Sequence, residues 1–478
     1  MDIIVQKFGG TSVSTEERRK QVIKKISKAI ESGLKPVVVV SAMGRAGEPY
    51  ATDTLLSLVD DNFKENNKAA QDLLMCCGEI ISSVVMCNDL YKHGITAVPL
   101  TGGQAGIITN SNFTDAQSIK VDTTNIMKIV ESGKVPVITG FQGVTENGFF
   151  TTLGRGGSDT SACILGVALK AKEIAIYTDV DGIMTADPRV VEDASLINEM
   201  TYNEVFQLAD HGAKVIHPKA VEIAKRGNVP LIIKNTMSEC KGTVIKSNVS
   251  EEEKRLISGI THLNNRIQVR VRLSENRDSK SYRSLLKLLA KNHISLDLIN
   301  IFPEHQMFTI DASEKEKLNE IMNKAGIKYS IIEGCSTIAI VGAGMNGVPG
   351  VMASIINTLT SNEIEVLQTT DSNMTIWCLI YTSKVKEAIR LLHKEFNLGN
   401  TKIAIDNTYL AKTEEEKENI YQQFNKIACK ILCEGKWEKM SKRQKIYCKV
   451  GQVVCEGLGI LAINAVFIGM FALWLLEY

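Results

Sequence analysis

The first 236 residues alternate short apolar runs with longer segments in which apolar residues recur at helical spacing. The runs are rich in Val and Ile and lie at 3–6, 37–40, 135–139 and 174–177. The longer segments lie at 16–31, 69–92, 121–131, 158–170 and 218–226. Strands that are apolar throughout and separated by helices are typical of a parallel sheet covered on both faces. We therefore predict an α/β domain over 1–236, with Asn147-Gly148 as the turn of a hairpin.

A mainly polar stretch at 237–263 predicts a linker, and an internal repeat follows it. The pattern Leu285-Leu286-x-x-Leu289-x-x-Asn292-x-Ile294 returns 70 positions later, with Ile355-Ile356 in its leading places. Each copy predicts the order strand, helix, strand, strand, helix, strand, which is that of a ferredoxin-like module. We place the two modules at 264–334 and 335–411.

The last segment, 412–478, has a different pattern and ends in a continuous apolar run at 457–476, whose only polar side chain is Asn464. A run of this length predicts an extra C-terminal hydrophobic helix that is long enough to span a bilayer. Three interpretations stay open. In the first, the run is a membrane anchor with the basic stretch 436–449 on the cytoplasmic side. In the second, it is an apolar helix packed on protein. In the third, it is a fused or out-of-frame segment without a role.

Composition excludes several classes of protein. The chain has 478 residues, a net charge of +1 and 44% hydrophobic residues. These values are typical of a globular protein of roughly three domains and exclude collagen-like or mostly disordered chains. A nearly neutral charge argues against a dedicated nucleic-acid binder. The N-terminus shows no secretory signal and the 11 cysteines form no C-x-x-C pair, so we expect a cytoplasmic protein.

Two motifs are rich in glycine, and the first of them lies at the end of the first predicted strand. The first, Lys7-Phe8-Gly9-Gly10-Thr11-Ser12, joins glycine amides to a cation, as a phosphate site does, although a tight turn explains it equally well. It lacks the P-loop spacing. The second, Gly154-Arg155-Gly156-Gly157-Ser158-Asp159, opens a helix and is suited to an anion. Arg155 offers a fork for a carboxylate, and Ser158 or Asp159 could instead be a helix cap.

Two more motifs lie further along. Thr178-Asp179-Val180-Asp181-Gly182 follows a strand, at the end where α/β sheets bind ligands, and lacks the spacing of an EF-hand. It leads into Asp187-Pro188-Arg189. Gly212-Ala213-Lys214-Val215-Ile216-His217-Pro218 opens a helix, where His217 is expected to be structural.

Together and in this order, these five motifs resemble the aspartokinases of the amino-acid kinase family. The resemblance covers residues 1 to about 410 and includes a tandem pair of ACT regulatory modules at the repeat. The stretch 43–54 is most similar to the diaminopimelate-sensitive bacterial type. The implied fold is a mostly parallel open sheet between helices, followed by two ferredoxin-like ACT modules.

The resemblance implies ATP-dependent phosphorylation of L-aspartate to 4-phospho-L-aspartate, with Mg²⁺ and no dedicated protein metal site. This reaction opens the route to lysine, threonine and methionine. The implied catalytic residues are Lys7, Asp159 and Lys214. The implied aspartate site consists of Thr52, Glu79, Arg155, Gly156, Gly157 and Ser158. The implied nucleotide site consists of Lys7, Phe8, Gly9, Gly10, Thr178, Asp179, Met184, Arg189, Lys214 and Val215. Met184 stands where many relatives carry Tyr.

Regulation is implied in the same way. An end-product amino acid (lysine, threonine or diaminopimelate) is expected to inhibit through the ACT modules, which would also join the chains into a homo-oligomer. Ser295, Leu296 and Asp297 are the predicted effector contacts. In the anchor interpretation, the cytoplasmic protein is attached to a membrane through 457–476.

Three alternatives compete with this assignment. Val341-Gly342-Ala343-Gly344-Met345-Asn346-Gly347 matches the G-x-G-x-x-G dinucleotide motif, but it lies within the repeat, with few residues left for a nucleotide domain. A turn at an effector pocket or a module interface is the other interpretation of these glycines. The chain could also be a non-catalytic amino-acid sensor on a kinase fold, or a kinase of another acidic acceptor.

Overall fold

A computed structural model describes residues 1–213, 215–274, 282–345 and 347–399. Lys214 and the tail at 412–478 lie outside these residues, so what the sequence predicts for them stays a prediction.

We call residues 1–246, which the resemblance implies to be catalytic, the catalytic region. It is built on an eight-stranded, mostly parallel sheet, as predicted. Its strands and those of a smaller sheet are β1 (Ile3–Phe8), β2 (Lys35–Val40), β3 (Ala97–Leu100), β4 (Ile107–Thr109), β5 (Ser118–Val121), β6 (Val135–Thr139), β7 (Gln142–Thr145), β8 (Phe150–Thr152), β9 (Glu173–Thr178), β10 (Glu199–Thr201), β11 (Leu231–Asn235) and β12 (Thr243–Lys246). The large sheet has the order β10-β12-β11-β9-β1-β2-β6-β3, and only the β11–β12 pair is antiparallel. The smaller sheet has the order β5-β4-β7-β8.

Helices cover both faces of the large sheet. They are α1 (Gly10–Val13), α2 (Glu16–Glu31), α3 (Thr52–Leu56), α4 (Asp61–Asn66), α5 (Lys68–Lys92), α6 (Thr124–Glu131), α7 (Gly157–Ala168), α8 (Tyr202–Asp210) and α9 (Pro218–Gly227). Successive side chains of a strand point to opposite faces. Val5 therefore packs in one core with residues of α7 and α9, and Ile4 packs in another with residues of α2 and α5. Burial on both faces explains why these strands are apolar throughout.

The predicted helices and strands of this region are present, and Asn147-Gly148 does join the antiparallel strands β7 and β8. The predicted linker 237–263 needs correction at both ends. Residues 243–246 form β12 and extend the large sheet, and residues 259–263 already belong to the next strand of the chain. β12 has only four residues and polar neighbours in sequence, so its alternation of buried and half-buried positions is too short to predict a strand. Within 237–263, the residues without a strand are 237–242 and 247–258.

We call residues 259–395, which the resemblance implies to be regulatory, the regulatory region. Its strands form one six-stranded antiparallel sheet. Its strands are β13 (Gly259–Arg272), β14 (Asp297–Ile301), β15 (His305–Asp311), β16 (Ser330–Val341), β17 (Gln368–Asp371) and β18 (Thr375–Tyr381), and its helices are α10 (Leu285–Lys291), α11 (Lys315–Lys324), α12 (Val351–Thr360) and α13 (Val385–Glu395). The strand order is β14-β15-β13-β16-β18-β17. The first repeat follows the predicted ferredoxin-like order, and the second follows it from β16 to α13. The two modules share the long strands β13 and β16, so the predicted boundary at 334/335 falls inside a strand.

The dinucleotide-binding interpretation of residues 341–347 is wrong. The strand that leads into this motif, β16, is antiparallel to both of its neighbours, whereas a dinucleotide site needs a parallel strand–helix–strand unit. A Cβ on Gly342 would lie 2.2 Å from the Leu256 carbonyl oxygen, and one on Gly344 would lie 2.7 Å from that of Arg255. These glycines let the connecting segment 255–257 cross closely over the end of β16.

Within the described part of the chain, one helix, α5, is long and apolar enough to cross a membrane by length and composition alone. Half of its most apolar stretch is buried inside the protein. Residues on one side of it, including Met86 and Leu90, belong to the catalytic core. The helix therefore has the character of a core helix, and the apolar run at 457–476 lies outside the described residues.

Candidate active site

A cavity of about 320 Å³ lies beyond the carboxyl ends of β1 and β2. Eight of the predicted site residues line it: Lys7, Gly10, Thr52, Glu79, Gly156, Gly157, Ser158 and Asp159. They come from four separate segments of the sequence. The parallel sheet brings these segments together because its strands end at one edge.

Lys7 and Asp159 form an ion pair in this cavity. Lys7 Nζ lies 2.6 Å from Asp159 Oδ1, and the two side chains are only 11% and 13% exposed. Lys7 is next to last in β1, and Asp159 lies in the first turn of α7. The carboxylate holds the ammonium group toward the cavity, where solvent screening is weak. A fixed cation at this point is suited to an anionic ligand.

The cap of α7 explains why the glycine motif is needed. The capping residue is Gly156, with φ of +66°, rather than Ser158 or Asp159, so both of these side chains stay free for the cavity. A Cβ on Gly156 would lie 2.3 Å from Cβ of His217, and one on Gly157 would lie 2.5 Å from the Phe141 ring. Any other residue would push the start of α7 out of place.

Glu79 is a buried carboxylate on α5 and is 3% exposed. Its Oε1 accepts a hydrogen bond from the Ala42 amide at 3.1 Å, and its buried Oε2 has no hydrogen-bond partner among the described residues. Burial raises the pKa of Glu79 to about 8. A buried acceptor without a donor is costly unless a ligand supplies one. The position is therefore suited to a ligand with a cationic N–H group.

A second carboxylate holds α5 in place two turns before Glu79. Asp72 is fully buried. One of its oxygens accepts from the Thr152 amide at 2.9 Å and the other from Thr152 Oγ1 at 2.8 Å, while the Thr114 amide also donates to it. These bonds tie the helix to β8 and to the loop before β5. They fix the depth at which Glu79 enters the cavity.

Arg155 lies beside the cavity without lining it. Its side chain is exposed, and it has no ion pair or hydrogen bond within the described residues. It occupies the turn between Gly154 and Gly156, both in the left-handed region with φ of +75° and +66°. The guanidinium group is therefore free to bind a ligand at the mouth of the cavity.

The predicted nucleotide residues lie at the end of the neighbouring strand β9. Thr178 and Asp179 follow its last buried residue, and Asp179 Oδ2 pairs with the Arg45 guanidinium at 2.7 Å. Arg189 is 88% exposed and pairs with Asp187. Met184 is half-buried and forms an isolated bridge with Leu196. The structure thus places this group beside the cavity rather than inside it.

Of the remaining predicted nucleotide residues, some lie at the cavity and others lie outside it. Gly10 lines the cavity, and a Cβ on Gly9 would lie 3.6 Å from Lys7 Nζ. Val215 is half-buried against the catalytic core, and its neighbour Lys214 lies outside the described residues. The predicted nucleotide contact of Phe8 stays a prediction. Phe8 is fully buried and stacks on Tyr177 with ring centroids 4.7 Å apart, so only its backbone is available to a ligand.

Sequence reasoning missed the loop after β2, which supplies Ser41, Ala42, Gly44 and Arg45 to the cavity lining. The prediction of β2 as a parallel strand already indicated that this loop could belong to the site, because ligands bind at the carboxyl ends of such strands. His217, in contrast, has the structural role that was expected. It caps α9, where Nδ1 accepts from the Lys219 amide at 3.3 Å, and burial lowers its pKa.

The predicted effector contacts lie just before β14 and at its first residue, Asp297. Ser295 and Asp297 are exposed, Leu296 is half-buried, and Asp297 pairs with Arg266 of β13 at 3.2 Å. This places the three residues at one edge of the regulatory sheet, and their contact with an effector stays a prediction.

Residues 2–235 match the amino acid kinase family and residues 330–394 match an ACT domain. The chain is 43% identical over 404 residues to aspartokinase 1 of Bacillus subtilis (84% of this chain, 100% of that protein). It is 37% identical over 413 residues to the aspartokinase of Geobacillus stearothermophilus (85% and 100%). Among solved structures, the fold is similar to Escherichia coli aspartokinase III in complex with aspartate and ADP, with a TM-score of 0.69 at 22% identity (83% and 100%). It is also similar to the aspartate kinase of Clostridium acetobutylicum, with a TM-score of 0.67 at 22% identity (82% and 100%).

Proposed function

Because the chain belongs to the aspartokinase family, we infer that it transfers the γ-phosphoryl group of ATP to the side-chain carboxylate of L-aspartate. The products are 4-phospho-L-aspartate and ADP. One observation carries this proposal. The Lys7–Asp159 ion pair and the unpartnered oxygen of Glu79 line the same cavity, so a phosphoryl site and an ammonium site meet there.

The transfer depends on the positioning of the two substrates and on the neutralisation of phosphate charge rather than on proton transfer. The acceptor carboxylate has a pKa near 4 and is ionised at neutral pH, so no general base is required. One of its oxygens forms a bond to the γ-phosphorus as the bond to the β–γ bridging oxygen breaks, and the electron pair leaves with ADP. Lys7 would neutralise charge on the transferring phosphoryl group, and Asp159 would keep that lysine in place.

Recognition of aspartate would use both ends of the cavity. The α-ammonium group of the substrate would donate to Glu79 Oε2 and favour its ionised form. Arg155 at the mouth would bind the α-carboxylate, with Thr52 and Ser158 completing the pocket. These contacts would aim the side-chain carboxylate toward Lys7.

The nucleotide would lie along the end of β9, against Thr178, Asp179, Met184 and Arg189. Its phosphates would reach Lys7 past Gly9 and Gly10, and Lys214 is proposed to assist there. We propose that Mg²⁺ arrives with the nucleotide. Within the described residues, no group of three His, Cys, Asp or Glu side chains could hold a metal ion, and Mg²⁺ is commonly held by substrate phosphates, water and one or two carboxylates. The ion would supply charge neutralisation on the phosphates.

Release of ADP from ATP with L-aspartate, L-glutamate or UMP as acceptor tests this proposal. We expect turnover that depends on L-aspartate. Turnover with glutamate alone would make the chain a kinase of another acidic acceptor. Nucleotide or amino-acid binding without turnover on any acceptor would make it a sensor.

We also propose that an end-product amino acid inhibits the enzyme through the regulatory sheet, and that the same region joins the chains into a homo-oligomer. The ACT match at 330–394 supports both proposals. Activity titrated with lysine, threonine and diaminopimelate tests the first, and flat curves for all three would contradict it. Light scattering of the full chain tests the second, and a monomeric mass at all concentrations would contradict it.

For localisation, we propose a cytoplasmic enzyme that is attached to a membrane by its tail. The length of the run at 457–476 and the basic stretch before it support the attachment. Fractionation of cells that express the chain with and without 412–478 tests it. The full chain is expected with the membranes and the shortened chain in the supernatant, and a full chain in the supernatant would contradict the anchor.

A further inference from the structure

The chain between β9 and β10 folds into a ribbon that carries two of the predicted nucleotide residues, Met184 and Arg189. We call residues 183–197 the nucleotide segment. Its two arms are joined by hydrogen bonds from the Thr185 amide to the Ser195 carbonyl at 2.9 Å and from the Ile197 amide to the Ile183 carbonyl at 2.9 Å. The arms fix the loop between them, where Arg189 lies.

The nucleotide segment shares a hydrophobic core with the regulatory region. Ala186, Val190 and Val191 are buried in one cluster with residues of β16, α12 and α13, among them Ile338, Ile355 and Leu392. The loop thus rests on the second ACT module, whereas Ile183 and Ile197 at the base of the two arms belong to the catalytic core. Its position depends on where that module lies.

Polar contacts join the same two parts. Arg390 of α13 donates from Nε to the Val190 carbonyl at 2.8 Å. Ser195 Oγ donates to the Gly399 carbonyl at 2.7 Å, just after α13. The Ile260 amide of β13 donates to the Thr185 carbonyl at 2.8 Å. Both arms and the loop are therefore held from the regulatory side.

His393 of α13 makes the most buried of these contacts. It is 1% exposed, its Nε2 lies 2.9 Å from Thr185 Oγ1, and its Nδ1 lies 3.5 Å from Asp193 Oδ1. With the Nδ1 proton directed at the Asp193 carboxylate, Nε2 accepts from the Thr185 hydroxyl, whose oxygen accepts from the Ser195 amide at 2.9 Å. This chain of bonds runs from the helix through both arms of the ribbon.

From this geometry we propose that His393 and Arg390 are positioning residues for the bound nucleotide. They touch no reacting atom and act through Thr185 and Val190 on the segment that presents Met184 and Arg189. The regulatory module would thereby set the affinity for ATP more than the affinity for aspartate, whose site lies at α5 and α7. The proposal rests on the proposed function for the identity of the nucleotide site.

The test compares variants of the full chain by steady-state kinetics and by calorimetric binding of ADP. His393→Leu removes the polar contact and is expected to raise KM for ATP and Kd for ADP about five- to tenfold. KM for aspartate and kcat should change less than about twofold. His393→Gln, whose amide can again meet the Thr185 hydroxyl, should restore most of the loss. Arg390→Gln, at an exposed position, gives a second variant should His393→Leu fail to fold.

Leu359→Ala is the matched control, because Leu359 is fully buried in the same module core on α12. Among the described residues, no hydrogen bond joins it to the nucleotide segment. The substitution should lower the stability while leaving KM for ATP nearly unchanged. Equal effects on both substrates, no rescue by glutamine, or a similar rise of KM for ATP in Leu359→Ala would overturn the proposal. If the unaltered chain binds ADP but turns over no aspartate, the proposed function fails, and the ADP affinities still decide the role of His393.

Discussion

Lys7 Nζ lies 2.6 Å from Asp159 Oδ1 in a cavity that is also lined by Glu79, whose Oε2 has no hydrogen-bond partner in the part of the chain that the structure describes. The pair joins the end of β1 to the first turn of α7, which are separated by about 150 residues of sequence. This cation has a fixed partner and an open side toward the cavity.

Lys7→Met should lower kcat by about a hundredfold or more, because a charge that stabilises the transferred group is lost. Asp159→Asn should lower it by about tenfold, since the lysine remains but is no longer fixed. Steady-state kinetics at saturating ATP and aspartate measure both. Because the two side chains act as a unit, the double variant should be little worse than Lys7→Met alone. If the losses of kcat in the two single variants multiply in the double variant, Lys7 and Asp159 act independently and not as a pair.

Glu79→Gln should raise KM for aspartate by about tenfold or more with little change in KM for ATP, because a neutral amide replaces the partner of the substrate ammonium. Thermal unfolding should show a folded protein. An unchanged KM for aspartate would remove Glu79 from the substrate site.

The pH dependence follows from the same residue. Burial raises the pKa of Glu79 to about 8, so this carboxyl is mostly protonated in the free protein at neutral pH. Aspartate binding needs the ionised form, so KM for aspartate should fall as the pH rises toward 8 and then level off. Glu79→Gln should flatten this profile. The stability effect has the opposite direction, because a raised pKa gives stability that is present below about 4.5 and is lost as the pH rises through 8.

Substitutions of two arginines should each affect the KM of a different substrate. Arg155 and Arg189 are both exposed, but one lies at the mouth of the cavity and the other on the nucleotide segment. Arg155→Gln should raise KM for aspartate about tenfold, and Arg189→Gln should raise KM for ATP by a similar factor. Each variant serves as the control of the other. The opposite pairing of effects would contradict the assignment of the two sites.

Gly156→Ala should destabilise the protein by about 3 kcal/mol or more, because it adds a clash with His217 to the strain of a positive φ. Gly148→Ala is the control, with φ of +81° and no atom within 4 Å of the added Cβ, and should cost about 1 kcal/mol. Chemical denaturation measures both. Equal losses would mean that the start of α7 has room for a side chain.

The sequence predicted the catalytic sheet, its main helices and the repeat, because each rests on local periodicity. Lys7 and Asp159 lie in two of its motifs, and Glu79 was implied by the family resemblance. What it missed depends on contacts between distant residues. The bond from His393 to Thr185 joins positions 208 residues apart, and the clash that requires Gly342 comes from the carbonyl of Leu256. The burial of Phe8 follows from the stacking of β1 and β9 side chains, which the motif alone does not reveal.

The most direct test of the central claim is release of ADP with L-aspartate, L-glutamate or UMP as the only acceptor, for the unaltered chain and for Lys7→Met. The assignment predicts turnover that requires L-aspartate, produces one acyl phosphate for each ADP and is nearly lost in Lys7→Met. Turnover with a different acceptor alone, or equal turnover in Lys7→Met, would contradict it.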